Sequence, residues 1–170
     1  PLARTIVEQG IEKGFDLAVR AFATVVRRIP RARLVLAGEG AARPELERLA
    51  AALGLAAAIE FVGAVAPGEV PALIDGASLV VVPSRWDEPF GLVALEAAQC
   101  ALPIVCFADS GGAQTFVEED AGYTVTAGDV DAMARQVVAL ADDESGRRAL
   151  GARARERVMT AYPVENTTPH

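Results

Sequence analysis

The sequence predicts an α/β protein in which a Rossmann-like parallel sheet is covered by helices on both faces. Apolar runs and amphipathic segments alternate along the chain, as they do where helices join parallel strands. The apolar run over residues 79–82 is continuous, which is typical of a strand that is buried on both faces. Glycine follows closely behind four of the five predicted strands whose ends form the ligand-binding edge of such a sheet: Gly38, Gly63, Gly91 and Gly111-Gly112.

Each predicted strand is a run of apolar and β-branched residues that ends at or near a turn residue. The run over residues 33–37, which passes into Gly38, is the clearest, and the run over residues 2–7 is the weakest. Residues 122–125 form a segment short enough for an edge strand. In chain order, the predicted strands cover residues 2–7, 33–37, 59–62, 79–82, 103–107 and 122–125.

The predicted helices are recognised by apolar residues at helical spacing and by residues that start or end a helix. The first places its apolar side chains on one face and ends at Ile29-Pro30. Gly54 ends the second helix, and Asp129 is a good N-cap for the sixth. In chain order, the predicted helices cover residues 16–28, 44–53, 70–76, 92–99, 113–118, 130–141 and 144–160.

The composition limits the class of protein. The chain of 170 residues is 52% hydrophobic and large enough for one domain, predicted over residues 1–162, whereas residues 163–170 are expected to be a disordered tail or a cloning addition. A net charge of −7 argues against a nucleic-acid partner. The only histidine is His170, so no zinc site and no histidine base are expected. No cofactor is predicted. Cys100 and Cys106 are interpreted as reduced thiols which, with no expected signal peptide or membrane span, predict a cytoplasmic protein.

Two carboxylates lie on either side of a predicted helix start. Glu88 precedes Pro89-Phe90-Gly91, and Glu96 lies inside the helix predicted over residues 92–99. The first N–H groups of a helix have no partner within it and, together with the helix dipole, attract anions. Carboxylates on both sides can accept hydroxyl groups from a ligand whose phosphates lie at the helix start. A nucleotide-sugar has this arrangement of ribose, diphosphate and sugar.

This segment resembles the hallmark motif of the retaining GT-B glycosyltransferases, the family that includes glycogen and sucrose synthases. Glu88 and Glu96 match its Glu-x7-Glu spacing in a Glu-Pro-Phe-Gly context. The resemblance covers about residues 2–160 and implies one half of a GT-B fold, the C-terminal donor-binding domain. It implies a catalytic Glu88 facing the donor sugar and a Glu96 that binds the ribose. It also implies donor contacts from Pro89 and, through their backbone N–H groups, from Phe90, Gly91 and Leu92.

The same resemblance extends to other loops. Lys13 is the only lysine beside fifteen arginines, and it stands where family members hold the diphosphate, which implies a catalytic role in stabilising the leaving group. Arg4 is the candidate for a second phosphate ligand, provided that the loop between Arg4 and Lys13 is longer than usual. Gly38 is expected near the nucleotide, and the backbone around Val65 is expected to contact the base. The segment after Gly38 lacks the third glycine of a dinucleotide fingerprint, which argues against NAD.

The implied function is metal-independent transfer of a sugar, with retention, from a nucleotide-sugar to a glycan or lipid-linked acceptor. The chain is expected to be an excised and inactive half of the enzyme, with natural truncation as the alternative, and its expected partner is an N-terminal GT-B domain. The full-length enzyme is expected to be able to touch a membrane surface. Two alternatives stay open: a nucleotide- or sugar-binding module without catalysis, and a GT-B nucleotide-sugar epimerase, although such epimerases lack the glutamate pair.

Overall fold

The computed structural model describes residues 13–85, 87–117 and 121–161, in which helices and strands alternate in the predicted order. A 3₁₀ turn over Pro67–Glu69 precedes the third helix. The elements are α1 (Phe15–Arg28), β1 (Leu34–Ala37), α2 (Arg43–Ala52), β2 (Ile59–Gly63), α3 (Val70–Asp75), β3 (Val80–Val82), α4 (Leu92–Gln99), β4 (Ile104–Phe107), α5 (Gly112–Thr115), β5 (Gly122–Val125), α6 (Val130–Asp142) and α7 (Glu144–Ala161).

The predicted elements that fall within these ranges are confirmed, with bounds that differ by one residue or none in every case but α5. The helix predicted over residues 113–118 is shorter and begins one residue earlier, at Gly112. Asp129 caps α6 as predicted, because its side chain accepts a hydrogen bond from the Ala132 N–H at 2.8 Å. The strand predicted over residues 2–7, Arg4 and the tail over residues 163–170 lie outside the described residues.

All strand pairs in the described ranges are parallel, as predicted. Within these ranges the strands form a β1–β2 sheet and a β3–β4–β5 sheet. β5 lies at an edge of its sheet, also as predicted. Because β3, β4 and β5 run in the same direction, the loops that follow them meet at one edge.

Successive side chains of each central strand enter different hydrophobic layers, which is the period of two expected of a strand. Val81 and Val105 face a cluster shared with α1 and α6, whereas Val80 and Ile104 face a cluster shared with α4 and α7. The first cluster also contains Leu34 and Leu36 of β1, so both sheets pack against one core. Burial of each large side chain contributes about 1.5–3 kcal/mol. Helices therefore cover both faces of the β3–β5 sheet.

Small residues bring α4 close to its neighbours. Ala94, Ala97 and Ala98 are buried in the cluster that also contains Ala154 of α7. A side chain on Gly151 of α7 would overlap the carbonyl oxygen of Ala101, just after α4, so glycine permits this close approach. This packing fixes the position of the helix that carries the predicted motif. None of the helices in the described ranges combines the length and apolar character needed to cross a bilayer.

Candidate functional site

The structure brings together the two residues that the sequence predicts to be catalytic. Lys13 lies just before α1 and Glu88 lies in the loop between β3 and α4, 75 residues further along the chain. The Lys13 Nζ atom is 3.0 Å from Oε1 of Glu88, and the two side chains are only 19% and 11% exposed. Water screens such a pair less than it screens a surface pair. The Coulomb attraction between the two charges is therefore stronger than in an exposed ion pair.

The position of Lys13 depends on a close contact between backbones. Gly14 has a φ of +70°, and a side chain there would overlap the carbonyl oxygen of Pro83, which directly follows β3. The Gly14 carbonyl then accepts the Leu17 N–H at 2.9 Å and starts α1. Only glycine fits both the backbone angle and the contact. The Lys13-Gly14 pair is thereby placed directly against the loop that carries Glu88.

Two further glycines, which lie in the segment after β4, pack against the same loop. Side chains on Gly111 and Gly112 would overlap the backbone of Glu88 and of Phe90, respectively. The Gly112 N–H also donates to the carbonyl oxygen of Glu88 at 2.6 Å. Packing between loops is therefore sufficient to explain these two glycines, and no ligand is needed to account for them.

The N-terminus of α4 lies at the end of this loop. Gly91 is its N-cap, has a φ of +75° and provides no capping side chain, and the first turn contains no acidic residue. Phe90 and Leu92 are exposed on either side of it, and Pro89 is exposed as well. The Phe90 ring packs edge-on against Phe116, with 5.8 Å between ring centroids. A helix start of this kind leaves backbone N–H groups without partners inside the helix.

Glu96 is half-buried at the fifth residue of α4, one turn before Cys100. Burial raises the pKa of the Cys100 thiol above its usual range, and the negative charge of Asp75 adds to this effect. Arg155 lowers the same pKa, and Glu96 raises it slightly. Glu96 thus lies near Cys100, further along α4 than the helix start.

The loops after β1 and β2 hold the two residues predicted near the nucleotide. The Gly38 N–H donates to the Gly63 carbonyl at 2.7 Å, next to an irregularity in strand register between Leu36 and Ala37. The Gly38 N–H therefore already has a partner within the protein. Val65 packs its side chain into the cluster of Ala37 and Ile74, which is compatible with recognition by its backbone alone.

Two cavities flank Phe15 near these loops. One of about 30 Å³ lies beside Gly38 and is also lined by Arg43 and Phe61. The other, of about 170 Å³, is lined by α1 and α2, with Asp16 and Arg85 among its lining residues. In the described part of the chain, no group of three histidine, cysteine or acidic side chains is placed to hold a metal ion.

Three residues at the site were not singled out by sequence reasoning. The Ser84 hydroxyl donates to Oε1 of Glu88, and the Ser110 hydroxyl donates to the Ser84 carbonyl at 3.3 Å. The Asp16 carboxylate accepts a hydrogen bond from each terminal nitrogen of Arg85, both at 2.7 Å. This ion pair connects α1 to the loop between β3 and α4. Ser84 stands within the motif and could have been proposed from it. No local pattern connects Ser110 or Asp16 with residues so distant in sequence.

A comparison with protein-family models identifies the family of the chain. The model described as Glycosyl transferases group 1 matches residues 8–157. The chain belongs to this family. The family predicted from the Glu88–Glu96 motif is confirmed, and the parallel strands with helices on both faces confirm the predicted Rossmann-like fold class.

Two curated relatives illustrate the similarity. The D-inositol 3-phosphate glycosyltransferase of Salinispora tropica is 41% identical over 132 residues, which make up 76% of this chain and 27% of the relative. A GDP-mannose-dependent alpha-(1-6)-phosphatidylinositol monomannoside mannosyltransferase of Mycolicibacterium smegmatis is 32% identical over 145 residues, or 82% of this chain and 38% of the relative. The chain thus spans well under half the length of either relative.

Solved structures agree on the fold of this glycosyltransferase domain. Anabaena HepE in complex with UDP and glucose has a TM-score of 0.85 and 25% identity over 94% of this chain and 43% of its own. A mutant of S. aureus TarM in complex with Fondaparinux, alpha-GlcNAc-glycerol and UDP has a TM-score of 0.89 at 22% identity, covering 96% of this chain and 33% of its own. At that identity, TarM supports the fold alone.

Proposed function

We propose that this chain is the donor-binding domain of a retaining, metal-independent glycosyltransferase that moves a sugar from a nucleotide-sugar to a glycan or lipid-linked acceptor. The observation that carries the proposal is the partly buried Lys13–Glu88 ion pair beside the glycine-capped start of α4. It combines a cation, a carboxylate and backbone N–H groups at the carboxyl edge of a parallel sheet, where α/β proteins bind ligands.

The diphosphate is proposed to bind between Lys13 and the backbone N–H groups at Gly91 and Leu92. An ammonium group has three donors, so Lys13 can bind a phosphate oxygen and keep its bond to Glu88. Glu96 lies further along α4, where it can accept the two ribose hydroxyls. This order along the helix reproduces the order of sugar, diphosphate and ribose in a nucleotide-sugar.

The same residues suit the charges that develop during transfer. As the bond between the anomeric carbon and the diphosphate breaks, negative charge grows on the leaving phosphate oxygen and positive charge on the sugar. Lys13 and the start of α4 stabilise the first charge, and Glu88 stabilises the second. We propose that this stabilisation needs neither a metal ion nor a protein nucleophile.

The complexes formed by relatives support a nucleotide-sugar donor. HepE is solved with UDP and glucose, and the Mycolicibacterium enzyme is named as GDP-mannose-dependent. Since these proteins use different bases, the first experiment on this chain compares UDP, GDP and ADP. The nucleotides are titrated into the chain with and without EDTA, and binding is followed by calorimetry or NMR.

We expect at least one nucleotide to bind at millimolar concentration or tighter, and EDTA to leave its affinity unchanged. Lys13→Gln should weaken binding about tenfold, because a charge-assisted hydrogen bond to phosphate is lost. Arg148→Gln is the matched control, since it removes a cation that pairs with Glu144 on the exposed surface of α7. Binding of none of the three nucleotides, or binding only with a divalent metal, would contradict the proposal.

We further propose that the acceptor site lies in an N-terminal GT-B domain and that the chain alone transfers no sugar. Positioning of donor against acceptor supplies much of the acceleration in two-substrate reactions. Joining the native N-terminal half to this chain should give activity, and Lys13→Ala should then reduce it sharply. Transfer by residues 1–170 alone would disprove the half-enzyme proposal. A two-domain protein that binds nucleotide-sugar without transfer is the outcome expected of a binding module, and interconversion of sugar epimers is that expected of an epimerase.

A further inference from the structure

The buried polar side chains in the described ranges belong to one network. They are Ser84, Glu88 and Ser110, which are 1%, 9% and 0% exposed, respectively. The Ser84 hydroxyl donates to Oε1 of Glu88. The Ser110 hydroxyl donates to the carbonyl oxygen of Ser84 at 3.3 Å. The network thus connects the ends of two neighbouring strands, β3 and β4, to the carboxylate predicted to be catalytic.

Two fully buried hydroxyls at these positions require an explanation. Removing a hydroxyl from water costs free energy unless it finds a partner, and alanine would fill nearly the same space without that cost. Neither serine caps a helix, because Ser84 lies in the loop after β3 and Ser110 lies before Gly111, the N-cap of α5. What the two hydroxyls do is hold the backbone and the carboxylate of the loop that contains Glu88.

The contacts on Glu88 restrict its side chain to one arrangement. Lys13 and Ser84 both donate to the same oxygen, Oε1. The Gly112 N–H holds the Glu88 carbonyl at 2.6 Å. A carboxylate whose backbone is fixed and whose one oxygen is held by two donors cannot rotate without breaking both bonds, and its second oxygen, Oε2, then has a fixed position as well.

We propose that Ser84, supported by Ser110, is a positioning residue that holds Oε1 of Glu88 on Lys13 and reserves Oε2 for the sugar of the donor. The first half of this inference concerns the chain alone. The second half rests on the proposed function, because it requires a nucleotide-sugar in the site.

The first experiment uses the fact that Lys13 is the only lysine. Labelling the chain with ¹³C,¹⁵N-lysine gives one side-chain NMR signal, which reports directly on the ion pair. Glu88→Gln defines the value of this signal when the charge of the partner is lost. In Ser84→Ala, the released carboxylate should sample several rotamers, so the Lys13 signal should move toward the Glu88→Gln value and its Nζ protons should exchange faster with water. A signal that stays at the wild-type value in folded Ser84→Ala would overturn the inference.

Additional variants keep this test decisive. Ser78→Ala is the matched control, because Ser78 lies at the other end of β3, and it should leave the Lys13 signal unchanged. Ser110→Ala should shift the signal in the same direction by a smaller amount, since Ser110 acts through Ser84. Ser84→Cys keeps the size and a weak donor, so it should fall between wild type and alanine. If Ser84→Ala does not fold, Ser110→Ala and Ser84→Cys decide the question, and wild-type signals in both would overturn the inference.

The second experiment separates positioning from general loss of structure. The affinities of UDP and UDP-glucose, GDP and GDP-mannose, and ADP and ADP-glucose are compared in each variant. Ser84→Ala should reduce the affinity for the preferred nucleotide-sugar about three- to tenfold while leaving that for the matching diphosphate unchanged, because part of one hydrogen bond to a charged group is lost. Equal losses for both would indicate a merely structural role and overturn the assignment of Oε2. Failure of wild type to bind any nucleotide would refute the proposed function, whereas the Lys13 signal would still decide whether Ser84 positions Glu88.

Discussion

The loop between β3 and α4 and the loops after β1 and β2 are held in different ways. In the first, backbones touch at Gly14, Gly111 and Gly112, and buried hydroxyls fix a carboxylate. In the second, the Gly38 N–H bonds to the Gly63 carbonyl, and residues around them, such as Glu39, stay exposed. Both sets of loops follow parallel strands, so the sheet alone does not account for the difference.

The difference matches what each region is proposed to recognise. A carboxylate and a cation that act at fixed positions need rigid supports, because a displacement of about 1 Å from the productive geometry can cost about a hundredfold in rate. Recognition of a base by backbone groups needs only a stable loop shape. The loop of Glu88 should therefore tolerate substitution poorly, and the loops of Gly38 and Gly63 should tolerate it better.

The largest effect is expected for Gly14→Ala. The new side chain overlaps the Pro83 carbonyl in addition to straining a φ of +70°, so the free energy of unfolding should fall by about 3 kcal/mol or more. Gly54→Ala is the matched control, because Gly54 has a φ of +71° and no atom within 4 Å of the added carbon. Its loss should be only the backbone term of about 1–2 kcal/mol. Urea unfolding measures both, and equal losses would show that the contact with Pro83 is unimportant.

The next effect concerns binding by Glu96. Glu96→Gln keeps the shape of the side chain and removes the charge that is proposed to accept the ribose hydroxyls. Nucleotide affinity should fall about tenfold or more, since hydrogen bonds to charged groups are worth about 1.5–3 kcal/mol. Calorimetric titration of the preferred nucleotide measures the change, with Glu144→Gln on α7 as the control. A large loss of Tm with unchanged affinity would make Glu96 a structural residue instead.

A smaller effect is expected for Gly63→Ala, which tests the tolerant region directly. Gly63 has a φ of +75°, but the added carbon would lie 3.4 Å from Oε1 of Glu39, the end of a flexible and exposed side chain. The loss in unfolding free energy should thus be the backbone term alone, about 1–2 kcal/mol. Urea unfolding beside Gly14→Ala checks this expectation. If the two variants lose the same stability, the proposed contrast between the regions is wrong.

The smallest effect is a change in thiol reactivity where the two regions meet. Cys100 follows α4 and packs against the cluster that contains Ala37 of β1. Because burial and then Asp75 raise the pKa of its thiol, the reactive thiolate should form only at higher pH than in a free cysteine. Alkylation by iodoacetamide, followed by mass spectrometry across pH, should show this shift, and Asp75→Asn should partly reverse it. An Asp75→Asn profile identical to wild type would exclude the charge effect. Cys106 is fully buried and should react only after unfolding.

The fold could be predicted in detail because its signals are local. Continuous apolar runs identified β1, β3 and β4, and short segments bounded by glycine identified β2 and β5. The limits predicted for α4 are those observed, since Gly91 and an apolar helix mark them. The limits of α5 were predicted less well. Gly112 begins that helix, although glycine is a weak helix former, because its backbone is packed against Phe90 and bonded to Glu88. Here a tertiary contact outweighs intrinsic propensity.

The sequence by itself determined the fold class and the order of the elements, because periodicity is written along the chain, and its resemblance to the GT-B family indicated the candidates Lys13, Glu88 and Glu96. Only the tertiary structure decided that Lys13 meets Glu88, that Ser84 and Ser110 fix that carboxylate, and that Asp16 holds Arg85. Except for the local Ser84–Glu88 bond, these contacts join residues that are 26 to 75 positions from each other in the sequence. They depend on which strands are neighbours and on how closely glycine lets their loops approach, and no local pattern encodes either property.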